Sequence, residues 1–579
     1  MKANKQLNHT ASHLLATAVL KLFPNTKLGF GPAIDEGFYY DFKFEKPLLE
    51  EDLKKIKKEM QKITKQNYIL EKHHGEDFFN SEKPFKKELY DELKQKGENV
   101  TFYAIKDPRL NKIIFNDLCL GNHIQNVSEV KHFELLSIAG AYWRGNSDKE
   151  QLTRIYGTAW ETQEELDQYL DLLKERKERD HRTIAKNLDL FMFSPLSGLG
   201  FPIWLENGMK IKNAIMKTVL ELDDRYGFDE VHTPIVGEQK LYETSGHWAH
   251  YKDDMYPPIK VENENLILRP MTCPHHILIF NSRLYSYRDL PKRFSEQSWL
   301  FRHEKSGALT GFERVRALQL TEGHIFARKS QIVDEFKHLY KMINEALSIF
   351  GIKIDYVSFS RRDPKDKEKF YQDDKLWETA EKDLETVLKE LKIEYKEMIG
   401  EAAFYGPKID FQVRTVLNHE ITMSTLQLDF LLPEKFDMSY VNENNEREKP
   451  VLIHRGLIGT YERFLSILLE QNKGVFPFWL APKQFAIAVV NPNDKMQIEY
   501  ADSVYKTLKS KKFHVYFDNR DERLSKKIRE AQISKTKYIF VIGEEEAKTK
   551  TITIRAYGEE STTTSTIENF LKNLDYKKA

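Results

Sequence analysis

Residues 299–326, WLFRHEKSGALTGFERVRALQLTEGHIF, restrict the fold of this chain more than any other stretch. Two runs of strand-forming residues flank a glycine-containing basic turn, so the segment reads as an antiparallel ribbon. Phe301, Arg302, His303 and Glu304 close the first strand, residues 305–310 turn, and Gly311 opens the return strand. In that return strand Arg314 and Arg316 alternate with Val315 and Ala317, which places both arginines on one face. Arginine presents a planar fork that matches phosphate oxygens two at a time, so Arg302, Arg314 and Arg316 on paired strands would clamp a polyphosphate. Taken alone, surface arginines on a solvated ribbon account for the pattern equally well. The rest of the chain decides between them.

A chain of 579 residues, 40% of them hydrophobic and 12% aromatic, has enough apolar side chain for three or four domains with cores of their own. Basic and acidic residues balance at 89 each, so a nucleic-acid partner has to be met by local basic patches. The longest apolar runs, such as residues 14–23, fall short of a membrane span, and no signal-peptide pattern follows Met1. A cytoplasmic protein with no membrane partner is the expectation. The two cysteines, Cys119 and Cys273, each stand within four residues of a histidine, which excludes a disulfide scaffold.

Four segments emerge along the chain: 1–160, a bridging helix within 161–186, a mixed segment 187–480, and a small α/β segment 481–579. In the first, apolar spacing predicts a helix from about Asn8 to Phe23, stopped by Pro24, with His9 and His13 on one face. Residues 30–42 have the punctuation of a strand hairpin. Cys119 and His123 repeat the four-residue spacing, and Asp117 stands beside them. Two such pairs make either a four-ligand metal site or a pocket that positions water for hydrolysis, against the plainer reading of unrelated surface histidines. Leu166, Leu170 and Leu173 followed by KERKERDHR suit a single helix, residues 164–186, that bridges domains through solvent. The last segment alternates strand and helix patterns, predicting a mostly parallel sheet with basic loops carrying Arg520, Arg523, Lys526, Lys527, Arg529 and Arg555.

In the third segment, Cys273, His324 and His454 offer one thiol and two imidazoles from three distant places. Three such donors with a fourth position open is the arrangement of a working zinc. Spacing alone does not bring them together.

Three motifs in order do. Gly227 to Pro234 (GFDEVHTP), Phe301-Arg302-His303-Glu304 and Gly459-Thr460-Tyr461-Glu462-Arg463-Phe464 resemble the three signature motifs of class II aminoacyl-tRNA synthetases. The phrases TSGHW (244–248), AFYGPKIDF (403–411) and SIAGAYWRG (137–145) are similar to those of the threonyl branch, and the resemblance runs from about residue 4 to the end. It implies a multi-domain α+β fold: an antiparallel class II catalytic core, an amino-terminal α+β editing domain, and a carboxyl-terminal α/β anticodon-binding domain. It implies a homodimer through the motif containing Pro234. The small ubiquitin-like domain that commonly precedes the editing domain is expected to be absent.

By the same resemblance, ATP and L-threonine form threonyl-adenylate, and the threonyl group passes to the 3′ end of tRNA(Thr). Arg302 would hold the α-phosphate, Arg314 and Arg463 the outer phosphates, and Glu304 the adenine side, with Mg2+ accompanying ATP. Cys273, His324 and His454 match the family's Zn2+ ligands. Tyr405, Lys408, Gln427 and Glu322 fall in the substrate pocket, where Leu320 and Glu322 replace a usual glutamine and aspartate. Valine lacks the hydroxyl and should be rejected strongly. Serine lacks only a methyl, a difference of roughly 1–3 kcal/mol, so a second sieve is needed. His9, His13, Asp117, Cys119 and His123 fall on the motif that clears serine from mischarged tRNA, and Arg529, Glu546 and Arg555 on positions that read anticodon bases. A catalytically silent, synthetase-like RNA-binding protein is the alternative; intact Arg302, Glu304 and Arg463 and the full donor set argue against it.

Overall fold

In the computed structural model, which describes residues 3–74, 84–98, 100–146 and 148–574, the chain divides into two compact units, Met1–Lys177 and Glu178–Ala579.

The first unit is built around the helix Lys5–Leu22. Asn4 starts it, its side chain accepting the amides of Gln6 and Leu7 at 3.0 and 3.2 Å, and so satisfying donors a helix start leaves open. Leu7, Ala11, Leu14, Leu15, Ala18 and Val19 are buried together against Phe38, Tyr40, Phe42 and Ile155 of an antiparallel sheet. That sheet runs Lys27–Leu28, Gly37–Lys43, Gln151–Trp160, His132–Tyr142, and the expected hairpin is present, with Ala33 opposite Phe38. Asn8, fully buried, exchanges two hydrogen bonds with the backbone of Ala159, 2.8 and 2.9 Å. This pins the helix's rotation, and with it the direction of His9 and His13. A second sheet, Ile69–His74, Thr101–Asp107, Lys112–Leu118, ends just before Cys119.

The second unit holds an eight-stranded sheet. Its inner order is the Glu296 strand (Lys292–Phe301), the His324 strand (Ala317–Ala327), the His454 strand (Val451–Thr460) and the Gln427 strand (Glu420–Asp429), all antiparallel. Parallel pairs occur only at the two margins. Side chains alternate across a sheet. Ile325, Ala327, Val451 and Ile453 therefore face a helical layer that includes Phe336, Leu339 and Leu465, while Glu322, His324 and His454 face the other way. Four helices supply most of that layer: Glu206–Arg225, Ile332–Ile349, Asp374–Glu390 and Tyr461–Asn472.

The ribbon departs from expectation in its middle. The first strand ends at Phe301 and the return strand begins at Ala317, so Arg302, Arg314 and Arg316 lie in the connection and not on strands. Gly311 at φ +46° and a bridge between Thr310 and Arg314 fold that connection tightly, and the Arg316 amide bonds to Gly200 O at 2.7 Å. The two return-strand arginines consequently diverge. Arg316 turns away to the carbonyls of Glu304 and Leu199.

The expected helix 164–186 is two, Gln163–Arg179 and His181–Asn187. Asp180 interrupts them, its carboxylate capping the Arg182 amide at 2.9 Å. In the carboxyl-terminal sheet, Val515–Asp518, Phe485–Val489 and Tyr538–Ile542 are parallel as expected, but Ile552–Ala556 and Thr563–Ser565 add antiparallel strands. In TITIRAYGEESTTTST residues 551–556 alternate as a strand does, but alternation does not say in which direction a strand pairs. Among the described residues, no helix is long and apolar enough to cross a membrane.

Candidate functional site

Register across three neighbouring strands creates the centre of the second unit. His324 is paired with His454, and His454 with Gln427, so three polar side chains stand in one row on the face turned from the helices. Cys273 enters from above as the first residue of the helix Cys273–Asn281. The ligand atoms of Cys273, His324 and His454 lie within 4.8 Å of one another, all buried. They line a cavity of about 450 Å³ together with Arg302, Glu304, Arg314, Glu322, Tyr405, Gln427 and Arg463.

Each imidazole is backed by an acid. His454 Nε2 lies 2.9 Å from Asp429 Oδ2, while the other oxygen of Asp429 accepts the amides of Leu431 and Leu432. His324 Nδ1 lies 2.9 Å from His276 Nδ1, and His276 Nε2 lies 3.1 Å from Glu296 Oε2. Glu296 also accepts from Arg269 and Thr233 at 2.8 and 2.7 Å. Burial pushes its carboxyl up, but hydrogen bonds from His276, Arg269 and Thr233 outweigh that and hold it at about 2. His324 Nε2 and His454 Nδ1 face each other 3.1 Å apart; with each ring's proton on the side of its partner, they would meet as two lone pairs. A cation between them resolves that repulsion, and sulfur with two imidazole nitrogens is a donor set suited to zinc. Burial raises the Cys273 thiol well above its ordinary value and lowers His324 well below its own.

Glu322 adds a second demand for positive charge. Among the described residues its buried Oε2 has no hydrogen-bond partner, and such an oxygen costs about 1–3 kcal/mol unless something supplies a proton or a cation. Tyr405 stacks on His454, ring centroids 5.0 Å apart, and its hydroxyl donates to Gln427. Lys408 stands apart from this set, held 2.7 Å from Asp410 outside the cavity lining.

Arginines gather at the other end of the cavity. Arg463 is lowered by burial and then by the neighbouring charges of Arg302 and Arg314, so the three guanidinium groups repel one another and a polyanion would relieve them. Arg302 donates weakly to Pro270 O at 3.4 Å, and Arg314 pairs with Glu304 at 2.9 Å. Glu462, fully buried, accepts the Gln319 amide at 3.0 Å and Trp204 Nε1 at 3.3 Å, tying the helix that bears Arg463 to the His324 strand.

The first unit brings its own five predicted residues into one cluster. Cys119 Sγ lies 3.3 Å from both His9 Nε2 and His123 Nε2, and the His13 and His123 ring centroids are 4.5 Å apart. Gly121 permits this approach: a β-carbon there would stand 2.3 Å from His9 Cε1. Burial raises the Cys119 thiol to about 11 and lowers His9, and it lowers His123 with help from His13 and His9. Burial thus favours the uncharged forms of Cys119, His9 and His123. Asp117 accepts from Tyr40 Oη at 2.5 Å, pairs with Lys86 at 2.7 Å and lies 4.0 Å from His13 Nε2.

In the carboxyl-terminal sheet, Arg529 is exposed on the helix Leu524–Ile533, and Arg555 on the strand Ile552–Ala556 donates to Glu559 O at 3.0 Å. Glu546 is engaged, taking the amide of Gly543 at 2.9 Å and the hydroxyl of Thr553 at 2.6 Å. Of the six basic residues expected in loops, Lys526, Lys527 and Arg529 lie on the helix Leu524–Ile533 and Arg555 on the strand, and three besides Arg555 have local roles. Arg520 pairs with Asp518 and Glu530, Lys526 pairs with Glu522, and Lys527 is buried against Val489 O.

Three contributors escaped the sequence. Lys86 lies in PFKKELYDELKQ, where it looks like any surface lysine, yet it is 3% exposed. His276, beside Cys273, read as one more histidine of the run CPHH. Glu296 sits in a strand with no motif of its own.

Family models match three parts of the chain: "Threonyl and Alanyl tRNA synthetase second additional domain" at 100–156, "tRNA synthetase class II core domain (G, H, P, S and T)" at 256–472, and "Anticodon binding domain" at 484–576. Threonine–tRNA ligase of Mycoplasmopsis pulmonis is 57% identical over 573 residues, covering 99% of this chain and 96% of that protein. The Ureaplasma parvum enzyme is 50% identical over 583 residues, covering 100% and 99%. Among solved structures, the RNA binding domain of threonyl-tRNA synthetase from Cryptosporidium parvum matches with a TM-score of 0.64 and 33% identity over 68% of this chain and 97% of that one. A class II core, an anticodon-binding domain and an additional domain shared with editing synthetases, joined in one chain with these relatives, place it in the threonine–tRNA ligase family.

Proposed function

We infer that this chain activates threonine with ATP, transfers the threonyl group to tRNA(Thr), and removes serine mistakenly attached to that tRNA. What carries the reading is one cavity with a Cys–His–His donor set and an unpartnered carboxylate at one end and three crowded arginines at the other.

Cys273, His324 and His454 would hold a zinc ion, whose chemistry when bound is to take the amino and hydroxyl groups of the amino acid. Glu322 takes the proton that the ammonium must shed before its nitrogen can donate to a metal, and Tyr405 with Gln427 closes that side. Arg302 meets the α-phosphate, and its charge offsets that which builds on the phosphorus as the threonine carboxylate attacks and pyrophosphate leaves. Arg314 and Arg463 hold the departing phosphates with Mg2+; Arg314 leaves Glu304 to do so, freeing that carboxylate for the adenine side. Lys408 contributes by keeping Asp410 in place.

Residues 1–160 form the editing domain, 161–186 a linker, 187–480 the catalytic domain and 481–579 the anticodon-binding domain. In the editing domain, His9, His13 and His123 with Cys119 orient water at the seryl ester, while Asp117, set by Lys86 and Tyr40, steadies His13. Arg529, Arg555 and Glu546 meet anticodon bases. The depression of about 850 Å³ around Pro234, lined by Leu241, Leu278, Ile279 and Phe436, suits a second copy of the chain, giving a homodimer. The cytoplasm, where its tRNA substrate is charged, is the compartment proposed.

Pyrophosphate exchange into ATP tests this directly. Exchange should need threonine, proceed more weakly with serine and be negligible with valine. No exchange with any of the three would leave the silent RNA-binding reading in possession.

A further inference from the structure

We propose that His276, backed by Glu296, is a positioning residue that fixes the tautomer of His324 and so sets how tightly the metal, and through it threonine, is held. The proposal rests on Cys273, His324 and His454 being metal ligands.

The argument is one of proton counting along a buried line. Glu296 Oε1 accepts from Arg269, and Oε2 accepts from the Thr233 hydroxyl, which itself receives Arg269 Nη1. Both oxygens are therefore occupied as acceptors, and His276 Nε2, 3.1 Å from Oε2, has to be the protonated nitrogen. With Nε2 donating, His276 Nδ1 stands 2.9 Å from His324 Nδ1 as the acceptor for that ring's proton. His324 is left with its lone pair on Nε2, aimed at the donors of Cys273 and His454. The opposite tautomer would aim an N–H at the metal position and two bare nitrogens at each other behind it. All members of the line are buried, His276, Arg269, Glu296 and Thr233 at 0, 0, 1 and 4% exposure, so the line is shielded from bulk solvent. Partners of this kind, behind a metal-bound histidine, typically change metal affinity by about 10–100-fold.

The test uses the purified full-length protein and three substitutions at one position. His276→Phe keeps the ring and loses both hydrogen bonds. His276→Asn places an amide oxygen where Nδ1 stood, retaining the acceptor for His324. His276→Gln reaches Glu296 and abandons His324. Zinc retention is read by competition with a graded chelator, and threonine and ATP dependence by pyrophosphate exchange. His276→Phe and His276→Gln should bind zinc about 10–100-fold more weakly, with the threonine KM raised in parallel and the ATP KM unmoved; His276→Asn should stay within a few-fold of the parent. Should His276→Phe not fold, the order of His276→Asn and His276→Gln decides alone. Wild-type zinc retention in His276→Phe, or His276→Gln outperforming His276→Asn, overturns the proposal. Cys273→Ala runs alongside: if that variant keeps its zinc, the ligand assignment itself has failed, and not the role of His276.

Discussion

Arg302, proposed to meet the α-phosphate, is lightly engaged by the protein itself, donating to Pro270 O at 3.4 Å. Arg302→Ala should lower pyrophosphate exchange by about 10²–10³-fold, the usual loss when one donor to a developing charge is removed, while leaving zinc content and tRNA binding as they were. A drop of only a few-fold would place the α-phosphate elsewhere. Cys119 gives a test of the other cavity. Its thiol is raised to about 11 by burial, because burial disfavours the charged thiolate. Alkylation depends on that thiolate, so its rate should climb about tenfold per pH unit from pH 8 to about 10. Levelling near pH 9 would mark an ordinary exposed thiol. At this scale the sequence was legible where a residue type is chemically rare: two cysteines, and histidines at fixed spacing. It was silent where the type is common, as with Lys86 and Glu296, whose importance comes from burial that no local pattern encodes.

Between residue and domain, the elements explain why distant side chains meet. The helix Lys5–Leu22 is set by its Asn4 cap and by Asn8 on the Ala159 backbone, and the loop carrying Gly121 closes down on it. Gly121→Ala puts a methyl 2.3 Å from the His9 ring and should abolish deacylation of seryl-tRNA while changing overall stability little, measured by hydrolysis of pre-charged tRNA and by thermal melting. Undiminished hydrolysis would show that His9 need not touch this loop. Helices with clear stop signals, such as Pro24 after Phe23, were readable from their spacing. The interrupted helix at Asp180 and the arginine-bearing connection after Phe301 were not, since the Asp180 cap is masked by the charge run around it and the connection is held by the distant Gly200 carbonyl. Arg316 shows the cost: alternation put it beside Arg314, and the turn sends it to backbone carbonyls instead.

For the molecule as a whole, the two candidate sites belong to separate units with separate cores. His9→Ala should therefore let seryl-tRNA accumulate with threonine activation unchanged, and Cys273→Ala should do the reverse, losing activation but still clearing pre-formed seryl-tRNA. Loss of both activities in either variant would mean that the units do not work independently. The fold class was readable in advance because three motifs in fixed order define it. The antiparallel end of the carboxyl-terminal sheet was not, because alternation marks a strand without saying in which direction it pairs. One further consequence follows from His324, His454 and Gln427 standing side by side on adjoining strands. A single codon gained or lost within Ala317–Ala327 would turn that strand's donors towards the helical layer. Descendants of this gene can therefore remodel amino-acid choice by exchanging side chains one at a time, whereas length changes are tolerable only in the connections.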